Sequence, residues 1–171
     1  MPTALITDIG LTKIRTAAGS AGQVAISHVA LGDGLGAVYS PSAAQQTLRR
    51  ELARVPITKR QPLGRSSWRV IAEFLSDTPA FDVREMGFFD TDGALVSIWA
   101  GLDIAPRRTG AIDYIVEHVL DFSRAAEGLV IVDAPDDELY AFAVQSLRAE
   151  AITANELHAQ RLAITALRKG N

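Results

Sequence analysis

The sequence is 171 residues long and contains no cysteine. This absence excludes disulfide bonds, thiol nucleophiles and thiolate metal ligands together. Long apolar runs are also missing, because none approaches the roughly 20 residues that cross a bilayer. Asp8 interrupts the apolar stretch that a secretory leader would need. We therefore expect a soluble protein, made in a cytoplasm and not inserted into a membrane, with enough length to bury its own core.

Excess positive charge is confined to one stretch. The whole chain has a formal net charge of −3, which argues against a general polyanion binder. Within residues 49–69, however, Glu51 is the only acid beside seven basic residues: Arg49, Arg50, Arg54, Lys59, Arg60, Arg65 and Arg69. Trp68 is the only aromatic residue there, whereas single-strand binders interleave several. We favour an exposed strand face or a contact with an acidic protein, and nucleic-acid binding stays an alternative.

The first third of the chain predicts short helices around one strand. Residues 7–18 are helix-tolerant and precede Gly19 and Gly22, which predicts a short helix ended by glycine. Residues 23–31 are rich in Val, Ala and Ile and predict a strand. The segment Ser40-Pro41-Ser42 then offers a helix cap, and "AAQQTLRREL" at residues 43–52 predicts two or three helical turns.

The middle of the chain predicts consecutive strands. Short β-favouring runs, separated by turn residues, are "LARVPITKR", "SWRVIAEFLS", "FDVREMGFFD", "ALVSIWAGL", "AIDYIVEHVLDFS" and "GLVIVD". The Asp92-Gly93 pair between two apolar runs predicts a tight hairpin. Because long helices do not separate these runs, we predict an α+β fold built on a mainly antiparallel sheet.

The C-terminal segment predicts one long helix. Pro135 suits the first helical position, three acids follow it, and Arg168 and Lys169 suit the far end. About 35 residues would extend on the order of 50 Å. No heptad frame stays apolar throughout. Apolar residues nevertheless recur as candidate oligomer contacts, namely Leu139, Phe142, Leu147, Leu157, Ile164 and Leu167. We predict a domain at residues 1–133 and an oligomerisation helix at residues 134–171.

The stretch "ISHVALGDGLG" contains alternating glycines that imitate a dinucleotide loop. Gly32, Gly34 and Ala37 fit G-x-G-x-x-A, a variant of the fingerprint. Such a loop must open directly into a helix within a parallel sheet, but here Val38, Tyr39, Ser40 and a proline follow the cluster. We therefore favour a structural turn at residues 32–36. A nucleotide-binding enzyme that uses this loop is the alternative.

No other pattern predicts a catalytic, cofactor or metal site. Asp90 and Asp92 could suggest a calcium loop, but Phe88 and Trp99 would then occupy its first and last ligand positions. The three histidines, His28, His118 and His158, lack metal-ligand spacing. Glu73, Glu85 and Glu117 lie in β-like segments, where a solvated strand face is the ordinary explanation. We expect no cofactor and no small-molecule substrate.

Two motifs at matching separation resemble a known family. A "VGDG" turn is matched by Leu31, Gly32, Asp33 and Gly34, and a "REhGLYD…G.L" hairpin is matched by Arg84, Glu85, Met86, Gly87, Phe88, Phe89, Asp90, Gly93 and Leu95. Over about residues 5–133 the chain resembles the N-terminal domain of phage tail-collar fibre proteins, found on contractile-tailed phages and related particles.

The resemblance implies a structural, non-enzymatic role in a virion or phage-tail-like particle, assembled in the host bacterial cytoplasm. Such domains join a fibre to the baseplate, and the fibres are typically homotrimers. The C-terminal helix would then pack with its copies and begin a fibre shaft, or alternatively fold back on its own sheet. Fibres of this family usually continue for hundreds of residues, so we expect a truncated fibre or an adaptor that receives a separate distal fibre protein. The turn at Gly34 is a candidate subunit or baseplate contact.

Overall fold

The computed structural model describes residues 4–101, 104, 108–122 and 128–169, and of residues 163–169 only the backbone. The chain divides into two units, Met1–Asp136 and Asp137–Asn171. Within the described residues, the first unit contains nine strands and one α-helix. In chain order the elements are β1 (Leu5–Ile6), α1 (Asp8–Ser20), β2 (Val24–Gly32), β3 (Glu51–Pro56), β4 (Lys59–Pro62), β5 (Ser67–Phe74), β6 (Glu85–Asp90), β7 (Leu95–Ala100), β8 (Tyr114–Asp121), β9 (Val130–Val132) and α2 (Glu138–Lys169).

The strands form two sheets. The first has the order β1-β7-β6-β2-β3, with β9 added beside β2, and the second has the order β4-β5-β8. Of these pairings only β2 with β9 is parallel. The predicted α+β fold with mainly antiparallel pairing is confirmed. The sequence predicted a single sheet, however, and the strands are divided between two.

The chain changes sheets inside the predicted strand "LARVPITKR". The Ile57 amide donates to the Ser27 carbonyl of the first sheet at 2.8 Å, and the next amide, of Thr58, donates to the Ile71 carbonyl of the second sheet at 2.8 Å. The Ile57 side chain is buried in the core. One apolar run therefore supplies two strands, because Ile57 within it packs into the core and the chain passes from one sheet to the other there.

Helix α1 confirms the predicted first helix, but the prediction that glycine ends it is wrong. Gly19 lies within the helix, and Ala21, which caps its C-terminus, adopts a left-handed φ of 53°. Thr7 caps its N-terminus, since the hydroxyl oxygen accepts a hydrogen bond from the Gly10 amide at 3.0 Å. Ile14 and Ala17 face the core. The helix also lies close to β7, where a side chain on Gly10 would come within 2.4 Å of the Val96 carbonyl oxygen.

The helix predicted at residues 43–52 is wrong. Turns and bends occupy residues 43–50, and Glu51 and Leu52 begin β3, so α1 is the one α-helix within residues 4–101. The reason is tertiary. Leu48 is buried in a second apolar cluster with Ala30 and Phe89, and the residues after it pair with β2. Burial and strand pairing therefore override a helix propensity of a few tenths of a kcal/mol per residue.

The predicted hairpin joins β6 to β7. Gly93 adopts φ 82°, and its amide donates to the Asp90 carbonyl at 3.0 Å. The Asp90 carboxylate accepts the amides of Asp92 and Ala94 at 3.1 and 2.8 Å, which closes the turn. Lys13 of α1 binds Asp90 and Asp92 from outside. The turn assignment from Asp92-Gly93 is confirmed.

Helix α2 confirms the long C-terminal helix but begins later than predicted. Asp137 caps it, because its side chain accepts the Tyr140 amide at 3.3 Å and its carbonyl accepts the Ala141 amide at 3.0 Å. Pro135 is therefore not the first helical residue. Its carbonyl accepts the Arg60 amide at 2.9 Å, and Asp136 forms a parallel bridge with Arg60, so this segment is extended.

The large apolar side chains of α2 are exposed. Leu139, Phe142, Leu147, Ile152, Leu157 and Leu162 expose between 53% and 74% of their surface. The last five recur at intervals of five residues, so each lies about 140° around the helix from the one before. They surround the helix and do not form one stripe. The side chains of Ile164 and Leu167 lie outside the described residues, as does Gly170.

The core lies between the two sheets, and His118 is at their contact. Its ring stacks on Phe88 of the first sheet with a centroid distance of 5.1 Å and lies 5.2 Å from the ring of Trp99. The Nε2 atom is buried without a hydrogen-bond partner among the described residues. Burial lowers the pKa of His118 to about 4. The neutral imidazole is therefore the form that this packing accepts.

We predict that His118 makes the protein sensitive to acid. The folded-state pKa lies below the ordinary value of 6.5, so between pH 6.5 and about 4 the unfolded chain binds the proton first. As the pH is lowered through this window, the free energy of unfolding should decrease by up to about 1.4 kcal/mol per pH unit because of this group. Urea unfolding at several pH values measures the slope. His118→Phe should flatten it, and His158→Gln on α2 serves as the control. An unchanged slope for His118→Phe would contradict the assignment.

Candidate functional site: the turn held by Glu85

The glycine cluster after β2 forms a left-handed turn. Gly34, Leu35 and Gly36 have φ values of 62°, 60° and 79°. The Asp33 side chain accepts the Leu35 amide at 3.1 Å, and the Asp33 carbonyl accepts the Gly36 amide at 3.0 Å. Glycine adopts positive φ without steric cost, which explains the residues at 34 and 36. The chain therefore turns at these glycines, as the sequence predicted.

Glu85, the first residue of β6, is completely buried beneath this turn. Its Oε1 atom accepts the amides of Gly34 at 3.2 Å and Arg50 at 2.8 Å. Its Oε2 atom accepts the Arg49 amide at 2.9 Å and the Tyr39 hydroxyl at 2.5 Å. We call these five residues the Glu85 clamp. The expectation of a solvated strand face at Glu85 is wrong, because the side chain is buried. The four donors take the place of the water that a buried carboxylate loses.

Gly32 is needed because the clamp is tightly packed around it. A side-chain Cβ at this position would lie 2.3 Å from the Arg50 carbonyl oxygen and 2.5 Å from Oε1 of Glu85. The Gly32 carbonyl also accepts the Arg84 amide at 2.9 Å. The two sequence motifs, "LGDG" and "REMGFFD", therefore contact each other directly. The alternating glycines serve close approach at position 32 and positive φ at position 34.

An ion pair and a stacked pair complete the clamp. Arg50 binds Asp33 through two hydrogen bonds, of which Nε to Oδ1 measures 2.8 Å. The hydrogen bonds from Arg50 hold the pKa of Asp33 below its usual value. Burial raises the pKa of Tyr39 to about 12, so its hydroxyl remains a donor to Glu85. The Arg49 guanidinium lies 3.6 Å above the centre of the Tyr39 ring.

The remaining motif residues lie along β6 or just before it. Arg84 precedes the strand and pairs with Asp82 at 3.2 Å. Gly87 faces the second apolar cluster, where a Cβ would come within 2.8 Å of Leu95 and Phe89. Asp90 and Gly93 form the hairpin turn at the opposite end of the strand. The fold thus brings Gly32, Asp33, Gly34, Arg84 and Glu85 together and leaves Asp90 and Gly93 apart from them.

The turn is poorly suited to phosphate binding. The Gly34 amide, which a pyrophosphate would need, already donates to the buried Glu85 carboxylate. No helix begins within residues 37–50. A bound phosphate would meet a negative charge where a dinucleotide loop offers a helix N-terminus. These observations disfavour the nucleotide-binding alternative.

Folding pairs four of the seven basic residues of this stretch with acids. Ion pairs join Arg50 to Asp33, Arg54 to Glu51, Arg60 to Asp136 and Arg69 to Glu117. Three of these acids come from outside residues 49–69, so folding supplies counter-charges that the local sequence lacks. A phosphate backbone is attracted by uncompensated cations. The pairing disfavours the nucleic-acid alternative.

Other chemistry has little support in the described part of the chain. None of its His, Asp and Glu side chains form a group of three that could hold a metal ion. His28 is hydrogen-bonded to Ser27 and His118 is stacked in the core. The described helices include none with the length and apolar character that membrane crossing requires.

Comparison with known proteins decides the family. A family model described as phage tail-collar fibre protein, N-terminal, matches residues 1–103. The chain belongs to this tail-collar fibre family. The predicted resemblance is confirmed, and the match ends at residue 103, before the expected limit near residue 133. No curated protein and no solved structure matches the chain. The family indicates a structural, virion-associated tail-fibre role and is typically not enzymatic.

In this member of the tail-collar fibre family, Glu85 is the residue whose role sequence reasoning missed. It begins a strand in which all six residues are buried. An apolar run without alternation indicates a strand covered on both faces, so the acid that begins "EMGFFD" could have been recognised as buried. Tyr39 and Arg49 had no such signal, because only the folded loop brings them to Glu85.

We predict that Glu85→Gln destabilises the domain by about 2–4 kcal/mol. The amide has one acceptor oxygen in place of two, and its NH₂ group would face buried donors. Equilibrium urea unfolding measures the loss. The control is Glu117→Gln, whose carboxylate is mostly exposed and pairs with Arg69 at 2.6 Å. That variant should lose less than about 1 kcal/mol. Equal losses of unfolding free energy in the two variants would contradict the prediction that the buried carboxylate stabilises the domain more than the exposed one.

Proposed function

We propose that the chain attaches a tail fibre to the baseplate of a contractile phage tail or a related particle. Membership of the tail-collar fibre family over residues 1–103 carries this proposal. In this role the domain at residues 1–133 binds the baseplate, and the segment at residues 134–171, which contains α2, leads toward the fibre. The protein acts by holding two bodies together and not by catalysing a reaction.

The construction of the domain supports an attachment role. Both family motifs end in turns that buried carboxylates hold, with Glu85 at one end of β6 and Asp90 at the other. A turn held by a buried and fully hydrogen-bonded carboxylate is more rigid than a loop held by solvent-exposed contacts. Docking surfaces benefit from such rigidity because less conformational entropy is lost on binding.

Helix α2 supports self-association as a homotrimer. Its exposed large apolar side chains would each contribute about 1.5–3 kcal/mol if neighbouring copies covered them. Because these side chains surround the helix, two neighbours in a trimer cover them better than one neighbour in a dimer. Any apolar side chains left uncovered are available to a separate distal fibre protein, which is the partner we propose for this end.

Immunogold labelling of tail particles tests the attachment role. Particles carrying the chain are labelled with a gold-conjugated antibody against residues 1–133 and then negatively stained. Particles from which the chain is deleted serve as the control. We expect label at the rim of the baseplate. Label along the tail tube, on the capsid or absent from intact particles would contradict the proposal.

We predict that Leu147→Asp or Leu157→Asp reduces the mass of the purified oligomer. Each change places a charge where an apolar contact between helices is proposed, at a cost of several kcal/mol per trimer. Light scattering measures the mass, and circular dichroism shows whether the sheets remain folded. Gln145→Asp adds the same charge at an exposed polar position of α2 and is the matched control. An unchanged mass for both leucine variants would contradict association through α2.

A further inference from the structure

Leu35 occupies an unusual position at the tip of the left-handed turn. It exposes 62% of its surface, and among the described large apolar side chains of the first unit Ile112, at 75%, is the one that exposes more. Its backbone has φ 60° and ψ 34°, a left-handed conformation that is an outlier for a bulky residue. Gly34 and Gly36 on either side avoid the same steric cost by lacking a Cβ. Leu35 therefore contributes little to the core and carries local strain.

The turn is held in place despite this strain. The Leu35 amide donates to Asp33, which Arg50 binds in turn. The preceding amide, of Gly34, donates to buried Glu85. Strained backbone persists only where surrounding contacts determine it, and such positions occur preferentially at functional sites. The contacts present the Leu35 side chain to solvent at a defined position.

The surroundings of Leu35 indicate what it would contact. Val38, three residues later, is 48% exposed and adds a second apolar group. Arg49 is exposed, and its guanidinium lies on the Tyr39 ring. This ring is next to the turn, since a Cβ placed on Gly34 would be 3.4 Å from it. The Arg50 side chain is 49% exposed, whereas its partner Asp33 is only 10% exposed. The solvent-facing charge around the tip is thus positive, around an apolar centre.

We propose that Leu35 inserts into an apolar pocket with an acidic rim on another protein of the tail. Arginine and tyrosine are enriched in protein-binding hot spots, and here they surround an exposed apolar side chain. Carboxylates on the rim of the pocket would complement Arg49 and Arg50. The inference rests on the proposed function, because it identifies which surface of the domain meets the rest of the particle.

Leu35→Gly separates docking from folding. Glycine accepts the left-handed backbone without strain, so the melting temperature of this variant should equal or exceed that of the wild type. Its affinity for tail particles assembled without the chain should fall at least about tenfold, as expected for loss of a hot-spot residue. Co-sedimentation of the purified full chain with such particles measures the affinity. Lower affinity combined with undiminished stability is the expected result.

The controls distinguish the inference from the function on which it rests. Leu63→Ala removes another half-exposed leucine of a turn and should leave binding unchanged. Arg49→Gln should weaken binding and reduce its dependence on salt. Equal binding by Leu35→Gly and wild type would overturn the inference alone. Absence of wild-type binding would overturn the proposed function as well. A lower oligomer mass for isolated Leu35→Gly would assign the pocket to a second copy and also overturn the inference.

Discussion

The buried carboxylate of Glu85 is the constraint on which the surrounding structure depends. A charge with no access to water must be surrounded by donors, and here three amides and a hydroxyl supply them. These donors come from the turn at Gly34, from Tyr39 after it and from the returning segment at Arg49 and Arg50. The loop between β2 and β3 must therefore close over the start of β6, and Gly32 must lack a side chain to allow it.

The same constraint explains why the docking surface that we propose differs from the one that the residue types suggest. Alternating glycines and clustered arginines indicate phosphate or nucleic acid when they are free to bind it. In the folded chain the Gly34 amide donates to Glu85, and Arg50 is paired with Asp33. Solvent meets an apolar tip, Leu35, within a basic surround. An interaction with protein follows more naturally from that surface than an interaction with a polyanion.

Local chemistry was predictable wherever neighbouring residues determine it. The Asp92-Gly93 hairpin, the glycine turn, the first helix and the long final helix were all expected, since positive φ and helix capping depend on a few adjacent residues. The failures depend on distant partners. Residues 43–50 do not form a helix because Leu48 is buried against β2 and β6 and the next two amides bind Glu85. Pro135 does not begin α2 because its carbonyl binds Arg60.

By itself, the sequence determined the family, the antiparallel character of the strands and the positions of the two motif turns. These features follow from short patterns of apolar residues, glycine and aspartate. Only the tertiary structure decided that the strands form two sheets, that Glu85 is buried and that Leu35 is exposed on a strained turn. Burial is a property of contacts between residues far apart in the chain, and for Glu85 the separation from its partners is between 35 and 51 residues.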